Sequence, residues 1–182
     1  MDERQVRPDV IERAKKIRVV VFDVDGVLTT GDLYFGHDGR EYKVFHARDG
    51  HGMKMLRQSG VEIAVITARS SQAVAHRMAN LEVEHVYQGQ REKLPALHHL
   101  MARLQVTCEQ IAYVGDDVVD LPIMVRVGLA IAVADAHPEV KSRAHWQTCS
   151  DGGRGAARDV CEMIMRAQGR WQSLLQEYLR PE

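Results

Sequence analysis

Short apolar runs rich in β-branched residues recur along the chain: Val19–Asp23 (VVVFD), Val61–Thr67 (VEIAVIT), Ile111–Gly115 (IAYVG) and Leu129–Val133 (LAIAV), with a briefer candidate at Glu84–Tyr87. A strand wetted on one face alternates apolar and polar residues. A run with almost no polar position reads as buried on both faces, the condition of a parallel sheet. Helical patterns fill the gaps. Leu94, Leu97, Met101 and Leu104 share one helix face, and Ala156, Val160, Ile164 and Ala167 share another. Asp49 reads as an N-cap and Gly60 as the residue just past a C-terminus, bracketing a helix with Met53 and Leu56.

This order predicts an α/β fold: a Rossmann-like parallel sheet with helices on both faces. One segment breaks the alternation. Asp32–His46 holds two strand-like runs, Leu33–Phe35 and Glu41–Phe45, around a turn at Asp38-Gly39. That is a β-hairpin signal, inserted after the first strand where a helix is the usual follower. The 182 residues carry no repeat or linker and read as one domain, 1–182, with a C-terminal tail from about 169. A net charge of −1 gives no basic excess for nucleic acid. No apolar run approaches the ~20 residues of a membrane helix. The charged first sixteen residues read as no signal peptide. Cys108, Cys149 and Cys161 are widely spaced and read as buried, reduced thiols of a cytoplasmic protein.

The chemistry gathers where the strands end. Asp23 and Asp25, two residues apart, close the first run before a turn at Gly26. Ligands of open α/β sheets collect at such ends, and paired carboxylates suit Mg²⁺, a hard cation that takes oxygen ligands. Thr67 closes the second run; a hydroxyl and N–H groups at a helix start can hold a phosphate oxygen. Lys93 opens a helix, a place where a lysine is ordinarily solvated. After the third run come Asp116, Asp117 and Asp120. Clustered carboxylates raise one another's pKa unless a cation offsets them, which points to metal binding.

Asp-x-Asp, Thr, Lys and Gly-Asp-Asp in this order resemble the four motifs of the haloacid dehalogenase-like superfamily. The resemblance implies Asp23 as nucleophile and Asp25 as general acid and base. It implies Mg²⁺ held by Asp23, the Asp25 carbonyl and Asp116, with Thr67 and Lys93 on phosphoryl oxygens. Asp117 and Asp120 would orient metal-bound water or Lys93.

Superfamily members often shield the site with a cap domain. The 42-position step from Asp25 to Thr67 holds only the hairpin and one helix, and the 26-position step from Thr67 to Lys93 only a helix and a short strand. Neither has room for a cap, so another subunit must cover the site, and Leu33, Tyr34 and Phe35 of the hairpin are a plausible interface.

Capless members with such a hairpin include the 3-deoxy-D-manno-octulosonate 8-phosphate phosphatases. The segments Phe45–Gly50, Tyr87–Gly89, Tyr113–Asp117, Ala132–Pro138, Gly152–Ala156 and Ala167–Gly169 resemble them, so the likeness runs from about Val10 to Gly169. It implies a cytoplasmic homotetramer freeing 3-deoxy-octulosonate for lipopolysaccharide. Such a substrate needs further cations, and the likeness points to His46, Ala47, Arg48, Asp49, Gly50, Lys54, Arg69 and Arg77 as sugar-acid contacts, some reaching a neighbour's site. Arg69 and Arg77 would lie on roughly the same side. Ala68 stands where glycine is common, and His51 where an aromatic is usual. Three alternatives stay open: a nonulosonate 9-phosphate phosphatase, a non-catalytic oligomeric module, and a phosphomutase, against which the missing cap argues. Trp171, Leu174, Leu175, Tyr178 and Leu179 form a tail stripe expected to pack on a neighbouring subunit.

Overall fold

The computed structural model describes residues 6–179; residues 1–5 and the final three of the tail, 180–182, lie outside the described residues. The strands are β1 (Val19–Phe22), β2 (Tyr34–Phe35), β3 (Glu41–Tyr42), β4 (Glu62–Ile66), β5 (His85–Tyr87), β6 (Ile111–Gly115), β7 (Leu129–Ala132) and β8 (Trp146–Gln147). Six form one sheet in the order β5–β4–β1–β6–β7–β8, parallel at every pairing. β2 and β3 form a separate antiparallel hairpin. Every residue of β1, β6 and β7 is buried, as runs without polar positions require.

The helices are α1 (Pro8–Ala14), α2 (Ala47–Gln58), α3 (Gln72–Asn80), α4 (Lys93–Leu104), α5 (Leu121–Met124), α6 (Pro138–Lys141), α7 (Ala156–Ala167) and α8 (Trp171–Tyr178). α2 packs on α7, which α1 and α8 flank; α4 and α5 pack together in the second layer. The chain runs outward from β1 through β4 to β5, returns to β6 on the other side of β1, and continues to β7 and β8. The reversal opens a crevice at the carboxyl ends of β1, β4 and β6.

Several expectations shift. β6 coincides with its run, the other expected strands of the sheet stop a residue or two short of theirs, and β8 is an edge strand too short to leave a periodic signal. Asp49 is not an N-cap: α2 begins at Ala47, with His46 at the cap position. The buried Asp49 carboxylate instead accepts from the Gly155 and Arg158 N–H groups at 3.2 and 2.8 Å, capping α7. Gly60 does follow the end of α2, with φ +89. On α4 the fully buried face is Ala96, Leu97 and Leu100; Leu94, Met101 and Leu104 are only partly buried. The tail stripe divides. Trp171 and Leu174 are buried within this chain, with the Arg166 guanidinium 4.6 Å over the Trp171 ring, while Tyr178 and Leu179 are exposed. Of the cysteines only Cys161 is buried; Cys149 is exposed.

Candidate active site

Asp23 follows β1 directly, its N–H still pairing with the Val114 carbonyl at 3.1 Å. The chain then coils through one helical turn, with the N–H groups of Val27, Leu28 and Thr29 all donating to the Val24 carbonyl. Gly26 sits in this turn with φ +87, and a Cβ there would lie 2.1 Å from Asp116 Oδ2. Only glycine allows both that backbone and that approach. From behind, Gly152 presses on the same turn: a Cβ there would meet the Gly26 carbonyl oxygen at 1.7 Å. The loop before α7 therefore braces the carboxylate loop after β1.

Thr67 is buried at the end of β4. Its N–H donates to the Tyr87 carbonyl and its own carbonyl accepts from Gln90, both at 2.9 Å. The Tyr87-Gln88-Gly89 segment fixes the adjoining loop: Gly89 N–H donates to the Arg69 carbonyl at 3.1 Å, and the Gln88 side chain accepts from Ser71 N–H at 2.7 Å.

Lys93 is buried, unlike the ordinary lysine of a first helical turn. Its Nζ donates to Asp120 Oδ1 at 2.6 Å and Tyr113 Oη at 3.2 Å. It also lies 3.0 Å from Asp23 Oδ1, an ionic contact without hydrogen-bond alignment. Burial alone would lower the Lys93 pKa, but Asp23 and Asp120 outweigh it and raise the value, keeping the ammonium charged.

Asp120 is fully committed. One oxygen accepts from Lys93 and the Tyr113 hydroxyl, the other from the Asp116 and Asp117 N–H groups. Asp23, Asp116 and Asp120 offer oxygens within 4.8 Å of one another. With its acceptor positions filled, Asp120 is left to orient Lys93 and the Asp116 backbone. Asp23 and Asp116 remain to receive a ligand. Burial first, and then the charge of Asp120, pushes Asp23 up to about 6. The same causes, with Asp23 added, push Asp116 up to about 8. Asp23 Oδ1 has no hydrogen bond. Buried acids that repel one another, with only the Lys93 ammonium against Asp23 Oδ1, fit a hard divalent cation, which would remove the repulsion. Asp117 is exposed and caps its own turn, accepting from Val118 N–H at 2.7 Å, away from Lys93.

The structure thus brings Asp23, Asp25, Thr67, Lys93, Asp116 and Asp120 to one crevice. A hollow of about 340 Å³ lined by Arg91, Glu92, Lys93, Leu94, Val119 and Pro122 opens beside it. Arg69 also arrives, paired with Glu41 and 3.8 Å from Asp25 Oδ2. Arg77 goes elsewhere than Arg69: its guanidinium lies 5.9 Å over the Phe45 ring, donates to the His46 carbonyl at 3.5 Å and occupies the space above Gly50. Ala47 and Arg48 are exposed, and His46 is half-buried with Nδ1 4.0 Å from Asp49. Lys54 lines a separate hollow with Arg57, Gln58, Glu62 and Glu82, at the opposite end of β4 from Thr67.

Two hairpin residues were not singled out from the sequence. The Lys43 side chain is 1% exposed and pairs with both Asp25 and Glu41. The available signal was the alternation Glu41-Tyr42-Lys43-Val44-Phe45, which puts both charges on one strand face.

A parallel α/β core with two carboxylates after β1, a hydroxyl after β4, a buried lysine and acids after β6 defines a phosphoryl-transfer class of site. The family model of haloacid dehalogenase-like hydrolases matches residues 83–158. The chain is 48% identical over 163 residues to the 3-deoxy-D-manno-octulosonate 8-phosphate phosphatase of Yersinia pestis, covering 90% of this chain and 87% of that one. A probable phosphatase of the YrbI family from Pseudomonas syringae superposes with TM-score 0.95 at 48% identity, over 97% of this chain and 100% of the other. The 3-deoxy-D-manno-octulosonate 8-phosphate phosphatase of Moraxella catarrhalis, solved with magnesium, phosphate and its sugar acid, superposes with TM-score 0.91 at 36% identity, over 93% and 98%. The chain belongs to the 3-deoxy-D-manno-octulosonate 8-phosphate phosphatase family of the haloacid dehalogenase-like hydrolases.

Proposed function

We propose that this chain is a Mg²⁺-dependent phosphatase that hydrolyses 3-deoxy-D-manno-octulosonate 8-phosphate to 3-deoxy-D-manno-octulosonate and phosphate. The observation that carries the reading is the buried Asp23 at the end of β1, its Oδ1 without a hydrogen bond and in ionic contact with Lys93, clustered with Asp116. Asp23, Asp116 and the Asp25 carbonyl would hold the cation. Bound there, Mg²⁺ neutralises phosphoryl charge that would otherwise repel an anionic nucleophile.

An Asp23 oxygen attacks phosphorus as the bond to the sugar oxygen breaks, giving an aspartyl-phosphate. The Asp25 carboxyl gives its proton to that departing oxygen. Asp25 then takes a proton from water, which attacks the aspartyl-phosphate and frees Asp23 and inorganic phosphate. Lys93, held charged by its two carboxylates, stabilises the phosphoryl oxygens, and Thr67 binds one of them. Asp120 orients Lys93. Arg69 would meet the sugar acid in the subunit's own crevice, and Arg77 with the His46–Gly50 segment would reach that of a neighbouring copy. Asp49 contributes by fixing α2 to α7.

Residues 1–182 act in this reading as one catalytic domain in the cytoplasm, supplying sugar acid for lipopolysaccharide. Leu33, Tyr34, Phe35, Tyr42 and Val44 give the hairpin a group of exposed apolar side chains. Such a patch marks a protein interface, here between copies of this chain in a homotetramer. The test is a phosphate-release assay. Turnover of the octulosonate 8-phosphate should require Mg²⁺ and vanish in Asp23→Asn. Much faster turnover of a nonulosonate 9-phosphate would overturn the substrate and leave the chemistry standing.

A further inference from the structure

Along β3 and its exit, Glu41, Lys43 and Phe45 face one way and Tyr42 and Val44 the other. Tyr42 and Val44 are exposed, whereas the Lys43 side chain is 1% exposed. A lysine this enclosed has to be paired. Lys43 Nζ hydrogen-bonds Asp25 Oδ1 and lies 2.8 Å from Glu41 Oε1. Arg69 closes the circuit, paired with Glu41 Oε2 and 3.8 Å from Asp25 Oδ2. The result is a ring of alternating charge, Asp25–Lys43–Glu41–Arg69, half from the catalytic crevice and half from the hairpin. Within it Asp25 Oδ2 and Glu41 Oε1 are buried and accept no hydrogen bond.

The four motifs explain Asp25 but not this clamp. An aspartate carboxylate turns readily about its last torsion, whose energy wells are broad. On a loop, Asp25 would present either oxygen in many orientations. With Oδ1 tied to Lys43, only Oδ2 is left for a reacting partner, and its direction is fixed by the hairpin. A misplacement of about 1 Å at a reacting group can cost ~10²-fold in rate.

We infer that Lys43 is a positioning residue: it holds one oxygen of Asp25 so that the other stays aimed at the departing oxygen of the substrate, and Glu41 holds Lys43 in turn. The inference rests on the phosphatase reading. Its purely structural competitor is that Lys43 merely ties the hairpin to the core.

Leaving groups separate the two. An alkyl phosphate such as the octulosonate 8-phosphate needs a well-placed proton donor, whereas p-nitrophenyl phosphate releases a stable anion and hardly does. In the Mg²⁺-loaded full chain, Lys43→Met should lower kcat on the alkyl phosphate ~10²-fold, within the ~10²–10⁴-fold worth of a positioned acid, with KM changed less than about twofold. Its single-turnover release of p-nitrophenol, which reports the first step before Asp25 acts as base, should fall less than about threefold, because no positioned acid is needed there. Lys43→Arg should restore part of the alkyl-phosphate rate. Equal losses on both substrates in that first step, a change in KM alone, or no change would overturn the inference. If Lys43→Met does not fold, Lys43→Arg carries the test: a larger loss on the alkyl than the aryl phosphate supports it, and equal or absent losses overturn it. Wild-type failure on both substrates would sink the phosphatase reading, and this inference with it.

Discussion

In β1 every residue from Val19 to Phe22 is buried, and the chemistry begins only where the strand stops. In the hairpin that follows, the apolar Tyr34, Phe35, Tyr42 and Val44 are exposed while the Lys43 side chain is enclosed and Glu41 half-buried. The sheet core follows the rule for a strand covered on both sides within one chain. The hairpin inverts it. Its charges are satisfied inside this subunit by Asp25 and Arg69, and its exposed apolar side chains have no cover among the described residues. The comparison teaches that this element serves two partners: the catalytic loop below it and, in our reading, another copy above it.

The sharpest break in the comparison is at the end of β1. Asp23→Asn keeps the shape and removes the attacking charge. Phosphate release should fall at least ~10⁴-fold, a modest part of the ~10⁶-fold or greater acceleration typical of enzymes. A loss below tenfold would remove Asp23 from the nucleophile's role.

Phe22 and Phe35 test the two rules directly on one residue type. Phe22 is fully buried in β1, and Phe22→Ala should cost about 3–5 kcal/mol in urea unfolding. The cation should come next. In the metal-free protein the raised pKa values of Asp23 and Asp116 mean that the folded state holds their charges at a cost. Mg²⁺ should offset that cost, for a total stabilisation of about 2.7 kcal/mol at a hundred times its Kd. For a chain of this size that corresponds to a rise in Tm of roughly 5–10 °C, reversed by chelator and largely absent in Asp116→Asn.

Phe35 should behave oppositely to Phe22. Because it is 60% exposed, Phe35→Glu should change monomer stability by less than about 0.5 kcal/mol. It should instead lower the mass seen by light scattering toward the 20.5 kDa of one chain. An unchanged oligomer with a lowered Tm would show that the hairpin packs within its own subunit.

The core and the ends of its strands were legible because both signals are local: a run of β-branched residues, then a carboxylate or hydroxyl. The environment of Lys93 had no local signal, since its partners Asp23, Tyr113 and Asp120 come from segments that meet only in the fold, and only the family resemblance pointed to Asp120 beside it. Asp49 shows the same boundary from the other side. Its capping chemistry was read correctly and its helix wrongly, since the N–H groups it serves lie on α7, more than a hundred residues away. Lys43 and Glu41 were not singled out because nothing near them in sequence indicates that Asp25 and Arg69 close over them.

Lys54 should give the smallest effect and still sharpen the comparison. The family resemblance marked it as a sugar-acid contact, yet α2 carries it away from the crevice toward Glu62, the first residue of β4, and Glu82. The His46–Gly50 end of the same helix stays near Phe45 and Arg77. If the site is completed only by residues at the carboxyl ends of the strands, Lys54→Ala should change KM less than about twofold, as surface charges away from special features usually do little. A tenfold rise in KM would require that Lys54 meet substrate across an interface, about 1.4 kcal/mol of binding that no contact in a single chain supplies. Repeating the measurement in Phe35→Glu then decides the point. A Lys54 effect that disappears with the assembly belongs to the neighbour's site, and one that persists means that substrate reaches farther along α2 than the crevice extends.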